Sequence, residues 1–326
     1  MKDRISYIDV SKTICIFLMV VGHWTSNSFL LGYIYSFHMP ALFVISGMLY
    51  KQRPFLKTIL SFGIPVAFYS ILNLIFLVLM GRVDFSHVFT KEMALRFFHY
   101  RYGLGDGLFM GDWFIWALLA IRMFMGDIYI FNGCRRHYVL LSFIVVVYMS
   151  FEALFFSIDT IFRGWYIGRA IPSLPFFCFG LFLKEKGWAP KIITKHILLI
   201  LAFFVILLPL ANGYCSINEN VFGRLYVFFV LNAVLATLLL FYTASKFPSS
   251  KVITTFSKGT LLILGLHIPI MQVLDMALPS FFHELLPILV FAICYFPILW
   301  IDRFCPELLG KVRWNCSCTW SKKTRC

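Results

Sequence analysis

Charged side chains are scarce in this sequence. Only 13% of its 326 residues are Asp, Glu, Lys or Arg, while 60% are hydrophobic. Soluble domains carry about 25% charged residues, so this composition excludes a water-soluble protein and predicts an all-α polytopic membrane protein. Acidic residues are rarer than basic ones: the chain has 15 Asp and Glu residues and 29 Lys and Arg residues. The basic residues lie in short segments between apolar runs, which is typical of membrane topology, so we expect no nucleic-acid partner.

The sequence also lacks the spacings that build metal sites and disulfide frameworks. Nine cysteines are present, and Cys316 and Cys318 lie near the terminal Cys326 without a second pair at zinc-finger spacing. We therefore predict no metal and no tightly bound cofactor. No acidic cluster occurs in a large loop, which argues against a metal-dependent glycosyltransferase. The first residues resemble a signal peptide but have no small-residue cleavage site, so we expect them to be retained.

Apolar runs of spanning length dominate the rest of the chain. We predict about ten transmembrane helices in one transmembrane domain, residues 1–326. The predicted spans are 8–24, 31–50, 58–80, 113–131, 138–158, 168–184, 196–212, 221–244, 259–278 and 285–302.

The Lys and Arg residues predict the orientation of these helices. With both termini in the cytoplasm, 21 of the 29 basic residues fall in inner segments and seven in outer loops. Residues 81–112 then form a long extracytoplasmic loop, which is an interfacial helix and lid or a mere connector. Residues 303–326 form a basic cytoplasmic tail.

The first helix carries three polar residues on one face. From Lys12 to His23 the eleven helical steps return to within roughly 20° of the same direction and span roughly 16 Å. Such residues in a membrane usually face a wet cavity or a protein interior. We interpret the helix as one wall of a channel with a cation at its inner end and an imidazole at its outer end. Asp9 is too distant to orient His23, so we expect it to pair with Lys12 or a neighbouring helix.

A second histidine follows in the next span. His38 lies near the depth of His23, beside the helix-disturbing Pro40, and is our candidate partner for it. An imidazole can take a proton from a hydroxyl group and return it to a leaving group. We predict His23 as a general base, and a covalent acetyl-histidine remains an alternative.

Several other residues are weaker candidates for the same site. Lys12, Arg53 and Arg122 have the charge to bind anionic phosphates near the inner face. The candidates for acceptor binding or for lining the cavity are Asp112, Trp113, Arg169 and His267. Three of these four have a structural alternative: a helix cap for Asp112, an aromatic belt for Trp113 and a headgroup contact for Arg169.

The first 50 residues contain two motifs, Tyr7-Ile8-Asp9 with Lys12 and Gly22-His23, then Tyr35-Ser36-Phe37-His38-Met39-Pro40 with Ser46-Gly47. These motifs resemble those of the acyltransferase family 3 membrane proteins, and of the fucose 4-O-acetylase-like branch in particular. Weaker similarities follow in order along nearly the whole chain, around Trp113, Pro175 and His267. Many family members have arginine where this chain has Lys12, and the family's basic pattern after helix two is not cleanly present, although Arg53 supplies charge there.

The resemblance implies a ten-helix O-acetyltransferase of the bacterial cytoplasmic membrane. It would move an acetyl group from cytoplasmic acetyl-CoA to a sugar hydroxyl of a surface or exported glycan, or of its lipid-linked precursor. His23 matches the histidine on which the family depends. Expected partners are therefore acetyl-CoA, the glycan or lipid-linked sugar, and membrane lipids, with a homo-oligomer as an alternative to a monomer. The alternative is a secondary transporter or flippase for a lipid-linked sugar or other solute, but the proline breaks do not pair between the two halves as transporter repeats would.

Overall fold

The structure, a computed structural model, describes residues 6–91, 95, 112–127, 137–155 and 165–312. Helices account for almost all of the regular structure in these ranges. The helices are α1 Ser6–Trp24, α2 Ser28–Tyr35, α3 His38–Met48, α4 Phe55–Leu79, α5 Asp112–Arg122, α6 Tyr138–Phe155, α7 Ala170–Glu185, α8 Lys195–Asn212, α9 Tyr226–Ala244, α10 Lys251–Lys258, α11 Thr260–Ala277 and α12 Leu286–Phe304.

The predicted all-α polytopic membrane fold is confirmed. Eight helical segments within the described ranges are long and apolar enough to cross a membrane, with α2 and α3 together forming one of them. Two shorter apolar helices, Trp113–Gly126 and Tyr138–Glu152, match the two remaining predicted spans. Both end close to residues outside the described part of the chain. α10 is a short amphipathic helix between two of the spans.

Helix α3 is the most completely buried helix. All of its residues except Ser46 are buried, as expected of a helix that is apolar on every side. Its backbone lies directly against α7. A methyl group on Gly47 would overlap the carbonyl oxygen of Phe177, and one on Gly180 would overlap the carbonyl oxygen of Val44. Such close contact needs a residue without a side chain on each helix.

Helix α1 is the second central element. It contacts α2, α3, α9, α10, α11 and α12, so both of its ends are surrounded by other parts of the chain. Its buried residues include Cys15 and Ile16, each with no exposed surface. This packing explains how a helix with polar residues along its length is held within an apolar fold: those residues face protein and not lipid.

A proline inside helix α11 leaves one backbone carbonyl group without its usual donor, and a side chain of another helix supplies the missing hydrogen bond. Pro269 has no backbone N–H for the carbonyl group of Gly265. The side-chain amide of Asn73 in α4 donates a 2.9 Å hydrogen bond to that carbonyl oxygen. Gly265 also lies against the ring of Tyr69, and an added methyl group would come within 2.7 Å of it. The α4–α11 contact therefore fixes the middle of α11, where His267 lies.

A small hairpin closes the outer end between α8 and α9. Strands β1 (Cys215–Ser216) and β2 (Val221–Phe222) pair antiparallel, with Cys215 opposite Phe222. The Asn212 side chain donates to the carbonyl oxygen of Phe222 at 2.9 Å and accepts from the backbone N–H of Leu225 at 2.9 Å. These bonds satisfy backbone groups that the turn would otherwise leave unpaired.

Two predicted regions fall largely outside the described residues. In the predicted loop 81–112, residues 92–94 and 96–111 are outside them, so the interfacial helix and lid stay a prediction. The predicted tail is described only as far as residue 312. The part that is described lies at the same end of the fold as the start of α1, because Lys311 and Lys12 line one cleft. The cytoplasmic location of this end stays a prediction.

We expect Gly47→Ala and Gly180→Ala each to destabilise the protein by about 1–3 kcal/mol or more, because the new methyl group overlaps backbone atoms that cannot rotate away. The measurement is the melting temperature of the purified protein in detergent. Gly63→Ala in α4 is the matched control, since an added methyl group there meets nothing within 4 Å. It should leave the melting temperature unchanged or raise it. Equal melting temperatures for all three variants would contradict the close α3–α7 contact.

Candidate functional site

The inner end of α1 carries Asp9 and Lys12, and both bind Ser257 at the end of α10. The hydroxyl group of Ser257 donates to Oδ1 of Asp9 at 2.5 Å, and Nζ of Lys12 donates to the carbonyl oxygen of Ser257 at 2.7 Å. Asp9 is 6% exposed. The structure thus places Asp9 against a neighbouring helix, remote from His23.

Two open clefts lie at this inner end. The larger has a volume of about 500 Å³ and the smaller of about 290 Å³. Lys311 lines both, so the clefts adjoin. The larger is lined by Arg53, Lys57, Asp302, Pro306, Gly310, Lys311 and Val312. The smaller is lined by Ile8, Asp9, Lys12, Leu49, Ser257, Lys258, Leu309 and Lys311.

The charge lining these clefts is predominantly positive. Asp302 binds Nζ of Lys258 at 2.7 Å and also binds Lys311. Even after this partial neutralisation, cations outnumber carboxylates in the lining of each cleft. Such a surface attracts anions, and phosphate groups in particular. The sequence indicated Lys12 and Arg53, while Lys311 joins them only through the fold.

Helix α1 runs without interruption from this cationic end to His23. Two rings lie next to the partly exposed imidazole of His23. The Tyr35 hydroxyl oxygen is 3.5 Å from its Nδ1, and the centroid of the His267 ring is 5.1 Å from its own. The sequence predicted His267 for this cavity but did not single out Tyr35.

His267 is held in one orientation by its own helix. Its Nδ1 is 3.0 Å from the carbonyl oxygens of both Ile263 and Leu264. A carbonyl oxygen can only accept, so Nδ1 carries the proton and Nε2 of the neutral ring has a lone pair. The residue is 1% exposed, and Nε2 has no hydrogen-bond partner in the described part of the chain. A buried acceptor without a partner is costly, which is a common feature of sites that bind a ligand or act in catalysis.

His38 makes no hydrogen bond to His23 in the described part of the chain. It is 2% exposed, and its Nδ1 donates to the carbonyl oxygen of Ile34 at 2.6 Å, across the break between α2 and α3. Its ring centroid is 5.2 Å from that of Tyr35, and the Tyr35 centroid is 6.3 Å from that of His23. The Tyr35 ring thus contacts both histidines, and the role of His38 as the partner of His23 stays a prediction.

The remaining predicted residues occupy different places. Arg122 donates to the carbonyl oxygen of Lys51 at 3.0 Å and lies 4.8 Å over the Tyr50 ring, and it is absent from the lining of both inner clefts. Arg169 is 2% exposed and donates through Nε to the carbonyl oxygen of Asn218 at 2.8 Å. Their predicted ligand contacts stay predictions.

The two candidates at the start of α5 also differ from each other. Trp113 is 6% exposed, with its ring centroid 6.4 Å from that of Phe43, so it belongs to the aromatic core. Asp112 begins α5, and its side chain lies outside the described part of the structure. Its cap and acceptor roles stay predictions.

The outer hairpin adds polar residues that the sequence did not indicate. The ring centroid of Tyr214 is 6.0 Å from that of Tyr35, and its hydroxyl group donates to Oε1 of Glu219 at 2.9 Å. Burial and the carboxylate of Glu219 raise the pKa of Tyr214, so its hydroxyl group stays protonated. The only signal in the sequence was the Tyr35–Pro40 motif, which did not reveal what Tyr35 contacts.

The arrangement has the groups needed to move a proton. Within the described ranges, no group of three or more His, Cys, Asp or Glu side chains is placed to hold a metal ion. A partly exposed imidazole with polar neighbours, connected by one helix to a cationic surface, suits acid–base chemistry on a substrate that carries negative charge.

Comparison with known proteins gives a family. The model of a family described as an acyltransferase domain matches residues 5–301. Searches of curated proteins and of solved structures found no match. The matched segment includes Lys12, His23 and His267, whereas Asp302 and Lys311 of the inner clefts lie beyond it. The chain therefore belongs to acyltransferase family 3 and is a membrane-integral acyltransferase.

Proposed function

We propose that the protein is an O-acetyltransferase of the bacterial cytoplasmic membrane. It takes the acetyl group of acetyl-CoA from the inner side and delivers it to a sugar hydroxyl of a surface or exported glycan, or of its lipid-linked precursor. The observation that carries the proposal is the uninterrupted helix α1, with Lys12 in a cationic cleft at one end and His23 at the other.

The inner clefts suit the nucleotide end of the donor. The 3′-phosphate and pyrophosphate groups of CoA are anionic, and the clefts present Lys12, Arg53, Lys57 and Lys311. Lys12 and His23 lie roughly 16 Å apart along the axis of α1. An extended pantetheine arm has about this reach, so phosphates held at the inner end bring the thioester close to His23.

His23 then acts as the general base. As the acceptor oxygen forms its bond to the thioester carbonyl carbon, the hydroxyl proton passes to the free ring nitrogen of His23. The carbon–sulfur bond breaks, and the CoA thiolate takes the proton back from His23. The imidazole ends neutral, as it began, and the products are the acetylated sugar and CoA.

His267 offers a lone pair beside this reaction. Its Nε2 can accept a hydrogen bond from an N–H or O–H group of a bound substrate, which would replace the partner that this buried nitrogen lacks among the described residues. We propose as well that the protein belongs to the fucose 4-O-acetylase-like branch of the family and that its acceptor is a sugar.

We expect His23→Ala to lower acetyl transfer about 10²- to 10⁴-fold, the usual contribution of a general base. The assay is transfer of labelled acetyl from acetyl-CoA to hexose- or deoxyhexose-bearing acceptors by the purified protein. His196→Ala is the matched control, because His196 is exposed at the start of α8. Undiminished transfer by His23→Ala would contradict the proposal, and solute flux without any transfer by the wild type would favour a transporter.

Removing cations from the inner clefts should weaken donor binding. For Lys12→Ala, Lys57→Ala and Lys311→Ala we expect KM for acetyl-CoA to rise about two- to fivefold per charge, as for exposed charge pairs. The difference from wild type should shrink at high salt, where charges are screened. Lys191→Ala, an exposed lysine outside both clefts, is the control. An unchanged KM for acetyl-CoA in all three variants would show that the clefts do not bind the donor.

Replacing His267 should separate activity from stability. His267→Leu removes Nε2, which is buried and has no partner among the described residues, so the melting temperature should stay the same or rise. Loss of the hydrogen bond to substrate should lower kcat/KM about tenfold. Steady-state kinetics and thermal unfolding of one preparation check both. A variant with full activity, or one that loses activity and stability together, would assign His267 to the core alone.

A further inference from the structure

The glycine that precedes the catalytic histidine leaves space for an aromatic ring. A methyl group on Gly22 would come within 2.9 Å of Cε2 of Tyr35 and 3.3 Å of Cγ2 of Ile34. The Tyr35 ring therefore lies on the backbone of α1 one residue before His23. Any larger residue at position 22 pushes this ring away from the imidazole.

Tyr35 is held from its other sides as well. The ring contacts His38 at a centroid distance of 5.2 Å, and His38 is fixed by its hydrogen bond to the carbonyl oxygen of Ile34. From the outer side Tyr214 lies 6.0 Å away and is fixed by Glu219. These neighbours and the backbone at Gly22 leave the Tyr35 hydroxyl group little freedom to move.

The hydroxyl group is 3.5 Å from Nδ1 of His23. For Nε2 to accept a proton, the neutral ring must carry its hydrogen on Nδ1, which donates it to the Tyr35 oxygen. Once His23 has taken a proton, both ring nitrogens carry hydrogen, so Nδ1 can only donate and the Tyr35 oxygen must accept. The contact thus becomes a hydrogen bond from a cation, which is stronger and shorter than a neutral one. Catalytic hydrogen bonds are often long before substrate binds.

We propose that Tyr35 is the positioning residue of His23, and that Gly22 is required because it gives the Tyr35 ring its place. Tyr35 orients the imidazole so that Nε2 faces the acceptor hydroxyl, and its oxygen stabilises the N–H of the imidazolium formed during transfer. The inference rests on the proposed function of His23. It replaces His38 in the orienting role and gives His38 the task of holding Tyr35.

The first test is Tyr35→Phe, which keeps the ring and removes only the hydroxyl group. We expect kcat to fall about tenfold to a hundredfold, the worth of a hydrogen bond to a charged group. KM for acetyl-CoA should not change, because the phosphates bind at the other end of α1. Wild-type kcat in Tyr35→Phe would overturn the proposal. A rise in KM with kcat unchanged would also overturn it.

The second test asks whether Gly22 acts through Tyr35. Gly22→Ala should lower kcat about tenfold in the wild-type background and have little further effect in Tyr35→Ala, where the ring is gone; such coupling is what a double-mutant cycle measures. Gly32→Ala is the matched control, since an added methyl group there meets nothing within 4 Å. Independent, additive effects of the two substitutions would overturn the link between Gly22 and Tyr35.

The wild type and His23→Ala are measured in the same series, which separates the two proposals. Loss of transfer in His23→Ala with full activity in Tyr35→Phe refutes only the role of Tyr35. Absence of transfer by the wild type refutes both. Nitrogen NMR of histidine-labelled protein gives a readout without turnover: the Nδ1 signal that disappears in His23→Ala should shift in Tyr35→Phe. An unshifted signal would count against the contact.

Discussion

The backbone contact between α3 and α7 at Gly47 and Gly180 is the constraint on which the rest of the fold depends. Helix–helix association in a membrane has little hydrophobic driving force, so close packing and hydrogen bonds must supply the attraction. Two glycines let the backbone of α3 contact the backbone of α7, and α3 is buried on nearly all sides. With α3 fixed, its first residue, His38, is fixed too, and through it the ring of Tyr35 beside His23.

The site divides into two ends because one helix belongs to both. At the inner end of α1, Lys12 binds the carbonyl oxygen of Ser257 and faces a cationic cleft. At the outer end, His23 lies among Tyr35, His267 and the residues that hold them. A rigid helix keeps the distance between the cationic cleft and the imidazole constant. This constant distance is the main support for the proposal of an acyl-CoA donor, a long molecule with a charged end and a reactive end.

Much of the fold and part of the site followed from the sequence. Eight of the ten predicted spans match helices long enough to cross a membrane, because a bilayer demands about 20 apolar residues per helix. His23 stood out because an imidazole in such a helix is costly unless it has a function. The contact of His23 with Tyr35 was not predicted. His38 was chosen by its depth alone, whereas the Tyr35 ring contacts the rings of both histidines.

By itself the sequence determined the membrane class, most of the helices and the placing of Lys12 and His23 on one helix face. These are local or additive properties, set by hydropathy, charge and the helical repeat. Only the tertiary structure decided which residues from distant segments meet: Ser257 with Asp9, Lys311 with Lys12, His267 with His23. These contacts depend on how the helices pack together. Helix packing is fixed by contacts between segments, such as that of Gly47 with Phe177, and no single segment contains both partners.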